Sequence, residues 1–180
     1  MLILGHMGIT VGLAGIAGCL VEKVAKKEFN INYGLVALGS MFPDIIDKPL
    51  GHMILRDTIN YGRIFSHTLV FTALLWLVAL WALRRGIFWP LAFSFGTLAH
   101  LVLDEMWQRP TVLFWPLYGW GFPSSGQDFL QGVLQSMHRP DVYLPEILGA
   151  AILIGFWLGK RGKTVPPIPK SINQGKEIPR

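Results

Sequence analysis

Four long stretches of apolar residues constrain the fold of this 180-residue chain more than any other feature of its sequence. They are residues 2–21, 64–83, 87–103 and 142–158. Each is close to the roughly 20 residues that an α-helix needs to cross the hydrocarbon core of a bilayer. Only 15% of all residues are charged, against about 25% in an ordinary soluble domain. The sequence therefore predicts an all-α, polytopic integral membrane helical bundle.

A fifth, weaker span is required by the positions of the basic residues. Basic residues that flank membrane helices lie on the cytoplasmic side, and three such clusters occur here. They are Lys23/Lys26/Lys27, Arg84/Arg85 and Lys160/Arg161/Lys163. If all three are cytoplasmic, residues 30–46 must also cross, although they carry two Asn, a Pro and an Asp. We therefore expect about five transmembrane helices in the cytoplasmic (inner) membrane, with the N-terminus outside and the C-terminus inside.

The two ends of the chain receive different interpretations. Residues 1–163 are expected to form one membrane-embedded domain. Residues 164–180 are expected to be a disordered basic cytoplasmic tail, because they have three early prolines and no helical period. The net charge of +5 makes binding to a nucleic acid an alternative interpretation. Most basic residues fall on the predicted inner side, however, so topology explains the charge and no nucleic-acid partner is expected.

The first apolar stretch has the features of a membrane anchor. Residues 16–19 (IAGC) resemble a lipoprotein cleavage box ending at Cys19, but a signal peptide carries basic residues before its apolar stretch, not after it. Glycines recur along this stretch at steps of three and four, which lets another helix approach its backbone closely. We expect an uncleaved helix in tight contact with a neighbour. The glycines are Gly5, Gly8, Gly12, Gly15 and Gly18.

A histidine and an aspartate four positions apart give the first indication of a functional site. His100 and Asp104 come at the end of the fourth apolar stretch, and this spacing places both side chains on one helical face. Taken alone, they form either a hydrogen-bonded pair inside the bundle or part of a metal site. Polar groups at membrane depth are costly and usually pair or line a cavity.

Four more ionisable residues fall at the same outer ends of the helices under the five-helix topology. The full set is His6, Asp44, Asp47, His67, His100 and Asp104. A shared divalent metal satisfies all of them at once, since zinc accepts imidazole nitrogen and carboxylate oxygen as ligands. The expected cofactor is therefore a divalent ion, and zinc is the ion expected.

Each of these residues also has a simpler explanation. His6 alone is typical of a membrane interface, Asp44 is placed to cap a short helix, and Asp47 is adjacent to Lys48 in a surface ion pair. One shared site explains six ionisable residues at one face more simply than six unrelated causes do. The convergence therefore favours metal binding.

Five short motifs, in order along the chain, resemble the YdjM-like family of membrane-bound, metal-dependent hydrolases. They are His6, residues 39–47 (GSMFPDIID), 63–68 (RIFSHT), 99–104 (AHLVLD) and 113–116 (LFWP). The resemblance covers about residues 1–120. The family is itself similar to zinc-dependent phospholipase C and P1-type nucleases, which implies phosphoester hydrolysis by analogy.

The resemblance implies hydrolysis by metal-activated water, with His67, His100 and Asp104 as core ligands. Asp44 completes the ligand set or bridges two ions, and His6 binds a second ion or orients the ligands. Asp47 is either a ligand or the base that accepts the proton of water, and Arg63 grips a phosphate oxygen through its bidentate fork. The alternative for Arg63 is an interfacial anchor.

The chain departs from the family pattern at two places. Many members have Pro-Asp-x-Asp-His where residues 43–48 read PDIIDK, and His-Arg-Gly where residues 62–64 read GRI. We therefore expect fewer ligands than a three-zinc enzyme uses, with one or two ions. His52 is an alternative ligand from the following loop.

Residues 105–143 form a long outer segment rich in aromatic side chains. Aromatic residues prefer the headgroup zone, so we expect a lid or wall over the site and a lipid-like substrate. Residues 127–137 are predicted to form a short amphipathic helix. His138 and Glu146 follow on the same side and offer a further metal position, or else belong to an ordinary turn and helix.

The competing interpretation is a non-catalytic membrane protein. In it, the His/Asp cluster passes an ion or a proton, or holds a structural metal. A transport path needs polar residues that continue toward the cytoplasm. The third and fifth spans have almost none in their inner halves, which favours the hydrolase; the oligomeric state is not indicated by the sequence.

Overall fold

Seven α-helices carry the fold in the parts of the chain that the structure describes, which are residues 1–26, 30–125 and 129–161 of a computed structural model. The helices are α1 (Ile3–Ala25), α2 (Tyr33–Pro49), α3 (Leu69–Leu83), α4 (Trp89–Leu103), α5 (Pro110–Leu113), α6 (Phe129–Ser136) and α7 (Pro140–Arg161). No strand occurs within those ranges, so the all-α prediction is confirmed. The predicted tail, residues 164–180, lies outside the described residues.

The most extensive helix contact is between α2 and α4, and α3 also packs against α4. Glycines make this approach possible. A Cβ atom on Gly39 would overlap the carbonyl of Phe93, and one on Gly96 would overlap the carbonyl of Val36. Thr97 adds a hydrogen bond across the contact, from its Oγ1 to Gly39 O at 3.2 Å. The two backbones are therefore in direct contact along the helices that carry Asp44 and His100.

The other close pair is α1 against α7, with α1 also packed on α2. A Cβ atom on Gly8 would overlap the backbone of Gly149, which confirms that the glycines of the first stretch admit a second helix. Glu146 of α7 also accepts hydrogen bonds from Leu2 N at 2.6 Å and Leu4 N at 2.8 Å. Since the cap residue Leu2 forms no side-chain cap, Glu146 takes over that role at the start of α1.

The helices differ in their ability to span a bilayer. Two are long and apolar enough by length and composition, Ile3–Ala25 and the Pro140–Gly159 part of α7. Only 11% of the apolar window of α7 is buried, so most of its side chains face outward. Helices α3 and α4 have 15 residues each, or about 22 Å of length. The expectation of about five full spans is thus supported by length for two helices.

The residue at which α3 begins explains why this helix is shorter than predicted. The sequence predicted a span from residue 64, but α3 begins at Leu69. Residues Phe65–His67 form a 3-10 turn instead, because the backbone N–H groups of Ser66 and His67 donate to the Asp47 carboxylate. Thr68 then caps α3 by accepting a hydrogen bond from Phe71 N.

Two loops meet beside this turn. Ser125 N donates to Ile59 O at 3.1 Å, and Asn60 Nδ2 donates to Ser125 O at 3.1 Å. An aromatic cluster made of Phe65, Trp115, Trp120 and Phe122 lies next to them, with ring centroids 4.8 to 5.6 Å apart. Trp115 and Phe122 thus pack on Phe65, two residues before His67. Helix α6 agrees with the short helix predicted at residues 127–137, within the part that the structure describes.

Candidate metal centre

All six candidate ligands meet at one end of the helix bundle. The three histidine side chains are fully buried, and Asp47 is also 0% exposed, while Asp44 and Asp104 are each 6% exposed. They come from α1, α2, the 3-10 turn before α3, and the end of α4. The predicted convergence of helix ends from separate parts of the sequence is therefore what the fold produces.

His67 and His100 face each other at the centre of the cluster. The Nδ1 atom of His67 lies 2.7 Å from Asp47 Oδ2, and the Nδ1 atom of His100 lies 2.6 Å from the carbonyl oxygen of Ser40. Their Nε2 atoms are 3.1 Å apart. Each ring is thus anchored through Nδ1 and presents Nε2 to the other.

The anchoring partners determine where the ring protons are. A carbonyl oxygen only accepts hydrogen bonds, so His100 Nδ1 must donate to Ser40 O, and in a neutral ring Nε2 then carries a lone pair. The same holds for His67 against the Asp47 carboxylate. Two lone pairs at 3.1 Å repel unless a proton or a metal ion lies between them, and histidines that ligate metals are held through their other nitrogen in this way by carboxylates or carbonyls.

Carboxylate oxygens complete the surroundings of these two nitrogens. Asp44 Oδ1 lies 3.6 Å from His67 Nε2 and 3.9 Å from His100 Nε2. Asp104 Oδ2 lies 3.9 Å from both. Two sets of three ligand atoms lie within 4.8 Å of one another, His6/Asp44/His100 and His67/His100/Asp104. This nitrogen and oxygen donor set suits zinc or a similar divalent ion.

His6 is the least satisfied member of the cluster. Its ring stacks on His100 with centroids 4.3 Å apart, and its Nε2 lies 3.2 Å from Asp104 Oδ1. Neither of its buried ring nitrogens has a hydrogen-bonding partner of good geometry among the described residues. A buried polar group in this state indicates a missing partner, and a metal ion is one that fits an imidazole.

Asp47 lies behind His67 and not at the centre. Its carboxylate accepts hydrogen bonds from three backbone amides, Ile64 N at 2.7 Å, Ser66 N at 3.1 Å and His67 N at 3.2 Å. With His67 Nδ1 added, its oxygens face four donors. Asp47 belongs to neither set of possible ligand atoms. The structure therefore brings Asp47 to the site but points it at the ring of His67.

Two cations border the cluster. Arg63 Nε lies 2.5 Å from Asp104 Oδ2, and Lys48 Nζ lies 2.6 Å from Asp44 Oδ2. Their side chains are 29% and 34% exposed, so this is where the buried site reaches the surface. Burial opposes ionisation of Asp104, but the His6 ring and the Arg63 guanidinium outweigh it and hold the pKa of Asp104 well below its ordinary value.

Three further residues that the sequence raised lie away from the cluster. His52 Nδ1 is 3.0 Å from Asn60 Oδ1, the exposed His138 ring lies 3.1 Å from Leu134 O, and Glu146 binds the start of α1. Sequence reasoning missed the Ser40 carbonyl, which has no side-chain signal. It also missed the bond of Lys48 to Asp44, although the spacing of four residues in one helix was a usable signal.

A family model described as YdjM inner membrane protein matches residues 1–161. This is more of the chain than the residues 1–120 that the short motifs indicated. No curated protein and no solved structure matches.

Proposed function

Because the chain belongs to the YdjM inner membrane protein family, we propose that it is a membrane-bound, metal-dependent hydrolase. The substrate is a phosphoester of a lipid or lipid-like molecule. The family membership supports the membrane setting. The buried His/Asp cluster supports the metal, and the resemblance to phospholipase C and P1-type nucleases, which stays a prediction, supports the phosphoester.

One observation carries this proposal. The Nε2 atoms of His67 and His100 are 3.1 Å apart while both Nδ1 atoms are occupied by acceptors. Two neutral imidazoles held in this way place lone pair against lone pair, so the arrangement needs either a proton on one Nε2 or a metal ion held by both. It suits two ligands of one cation, and the carboxylates of Asp44 and Asp104 supply the balancing charge.

The residues divide into binding and positioning roles. His67, His100, Asp44 and Asp104 would hold one zinc or similar divalent ion. His6 belongs to an alternative set with Asp44 and His100; because the Nε2 lone pair of His100 binds only one ion, a second ion would be held by His6 with the Asp44 or Asp104 carboxylate. A divalent ion in such a site lowers the pKa of bound water and polarises a phosphoryl oxygen. Asp47 fixes the ring and tautomer of His67, a positioning role in place of the expected ligand or base.

Arg63 is the residue proposed to bind the substrate phosphate. Its Nε bonds Asp104, and its partly exposed side chain connects the buried ligands to the surface. A guanidinium presents five donors in a planar fork that matches phosphate oxygens. Lys48 holds the equivalent position beside Asp44. The two cations together favour an anionic substrate at this side of the cluster.

The decisive experiment combines metal analysis with a lipid phosphoester assay on purified protein. We expect one or two ions of zinc per chain in the wild type. His67→Ala and His100→Ala should each lose the bound metal and reduce activity at least a hundredfold. The matched control is His138→Ala, which removes an exposed histidine distant from the cluster and should retain both. Wild type without stoichiometric metal, or a His100→Ala variant with full activity, would refute the proposal.

The proposed topology places the N-terminus and the metal centre outside, with about five spans and the C-terminus in the cytoplasm. The support is the basic residues at the opposite end of the bundle. A single cysteine at the exposed Ser124, in a chain lacking Cys19, should react with an impermeant thiol reagent applied from outside. Reaction only from the cytoplasmic side would overturn this orientation.

A structural metal site is the second candidate function, and the complete burial of His6, His67 and His100 favours it. The two functions differ in whether a coordination position stays open. Inorganic phosphate should compete with substrate in the wild type, and Arg63→Ala should weaken that competition if the site is catalytic. A closed structural site predicts metal-dependent stability with no turnover and no phosphate effect.

Ion or proton transport is not supported by the far end of the bundle. Among the described residues, no acidic, basic or histidine side chain lines the cavity there.

A further inference from the structure

A large cavity lies at the end of the bundle opposite the metal centre. Its volume is about 680 Å³, within the 300 to 1,000 Å³ typical of ligand pockets. It lies between the C-terminal half of α1, the start of α2 and the start of α4, and Trp76 of α3 also contributes to its wall. Its deeper wall is apolar and includes Ala14, Val36, Ala92 and Phe95.

The cavity has the depth of a lipid chain site. It runs along α1 from Ala14 to Val21 and along α4 from Trp89 to Phe95, a distance of about 10 Å in each helix. Half of the hydrocarbon core of a bilayer is about 15 Å thick. The cavity thus extends from one end of the bundle through about two-thirds of one leaflet.

The mouth of the cavity is polar, and basic residues lie near its lining residues in the chain. Asn30, Asn32 and Tyr33 line it on one side. Lys23 and Lys26 follow Val21 on α1, and both are exposed. Arg84 and Arg85 lie three to five residues before the Phe88 and Trp89 that line the opposite side. Basic pockets between membrane helices bind anionic headgroups, and an apolar chamber beneath them accepts a chain.

We infer that this cavity binds an anionic membrane phospholipid. One acyl chain occupies the apolar space between α1, α2 and α4, and the phosphate lies among the basic residues that end α1 and join α3 to α4. This lipid is distinct from the proposed substrate, because the metal centre is at the other end of the same helices. The inference does not depend on hydrolase activity.

The test measures lipid retained by the purified full-length chain. Protein in detergent is incubated with phosphatidylglycerol or with phosphatidylcholine and analysed by native mass spectrometry. We expect one phosphatidylglycerol per chain and at least tenfold less phosphatidylcholine. Ala92→Phe, which fills the cavity, and the exposed pair Lys23→Gln/Lys26→Gln should each reduce phosphatidylglycerol retention at least tenfold.

Matched controls separate binding at the cavity from general effects. Leu74→Phe adds the same aromatic ring at a position 56% exposed, and Arg139→Gln removes a charge from an exposed ion pair; both should leave retention unchanged. Metal content, expected to be unchanged throughout, reports that each variant is folded. Equal retention of the two lipids, or normal retention in both test variants, would overturn the inference. So would an Ala92→Phe variant that changed oligomeric state but not lipid retention, since the cavity would then hold a second copy.

Discussion

The bundle contains two glycine-mediated helix contacts that serve different purposes. At α2–α4, Gly39 and Gly96 bring backbones together, and the same contact sets the Ser40 carbonyl 2.6 Å from His100 Nδ1. At α1–α7, Gly8 and Gly149 make an equally close approach, but the groups beside it only cap a helix. The same kind of glycine contact therefore fixes the ring of a candidate metal ligand in the first pair and an exposed helix in the second.

The comparison shows that a close helix contact affects the candidate site only where the contact also positions a polar group. A side-chain partner for His100 would tolerate a small shift of the helices by changing its rotamer. A backbone carbonyl has no such freedom, so the orientation of His100 depends on the α2–α4 distance. The α1–α7 contact carries no comparable dependence among the described residues.

Gly39→Ala should have the largest effect on metal affinity, because it disrupts the α2–α4 contact that orients His100. The new Cβ would overlap the Phe93 carbonyl. Overpacking of about 1–3 kcal/mol outweighs the roughly 1 kcal/mol gain in helix propensity. We expect lower thermal stability and metal affinity reduced at least a hundredfold, measured by competition with a chelator. Gly155→Ala on α7, where a Cβ meets nothing within 4 Å, is the control and should leave both unchanged or slightly improved.

Asp47→Asn should come next, and it sharpens the comparison by altering a ring orientation without altering packing. The amide keeps one acceptor oxygen but introduces a donor among the four donors that face residue 47. Loss of such a partner usually weakens metal binding 10- to 100-fold. Titration of the purified variant with zinc should give a value in that range. Complete loss of metal, equal to that of Asp44→Asn, would instead make Asp47 a ligand.

Gly149→Ala is expected to separate stability from metal binding. Its Cβ would overlap the carbonyl of Leu4, so we expect a loss of about 1–3 kcal/mol in stability. Metal affinity should change less than threefold, because α7 contributes no ligand. A variant that lost metal together with stability would show that the two glycine contacts are energetically coupled.

The smallest effect is expected for Glu146→Ala. This change removes the acceptor for Leu2 N and Leu4 N, and loss of a helix cap costs about 1 kcal/mol. Thermal unfolding should shift down slightly with metal content unchanged. Glu146→Gln, which keeps an acceptor oxygen, should recover part of the shift. A loss of zinc from Glu146→Ala would return this residue to the ligand set.

The sequence was informative where chemistry depends on side-chain type and spacing. His100 and Asp104, four residues apart, were correctly placed together, and the topology correctly predicted that His6, Asp44 and His67 reach the same end. Helix type was also predictable from apolar length. These features depend on local periodicity and on hydropathy, which a single sequence contains.

The remaining features depend on three-dimensional contacts between backbones. The 3-10 turn before α3 forms because the Asp47 carboxylate accepts hydrogen bonds from backbone N–H groups within residues 64–67. No local sequence pattern encodes this contact. A sequence does not indicate that the backbone carbonyl of Ser40 bonds to His100. Glu146 was a candidate ligand until the α1–α7 contact placed it over the start of α1. Polar residues at helix ends therefore need the packing before their roles can be assigned.

The shortness of α3 and α4 has a consequence for the surrounding bilayer. Each is about 22 Å long, and both lie beside the metal centre, whereas the hydrocarbon core is about 30 Å thick. A transmembrane segment shorter than the core is accommodated by local thinning or by flanking residues that reach outward. Under the proposed topology, this hydrophobic mismatch lowers the nearby headgroups toward the depth of Arg63 and Lys48. The membrane itself would then deliver phosphates to the site.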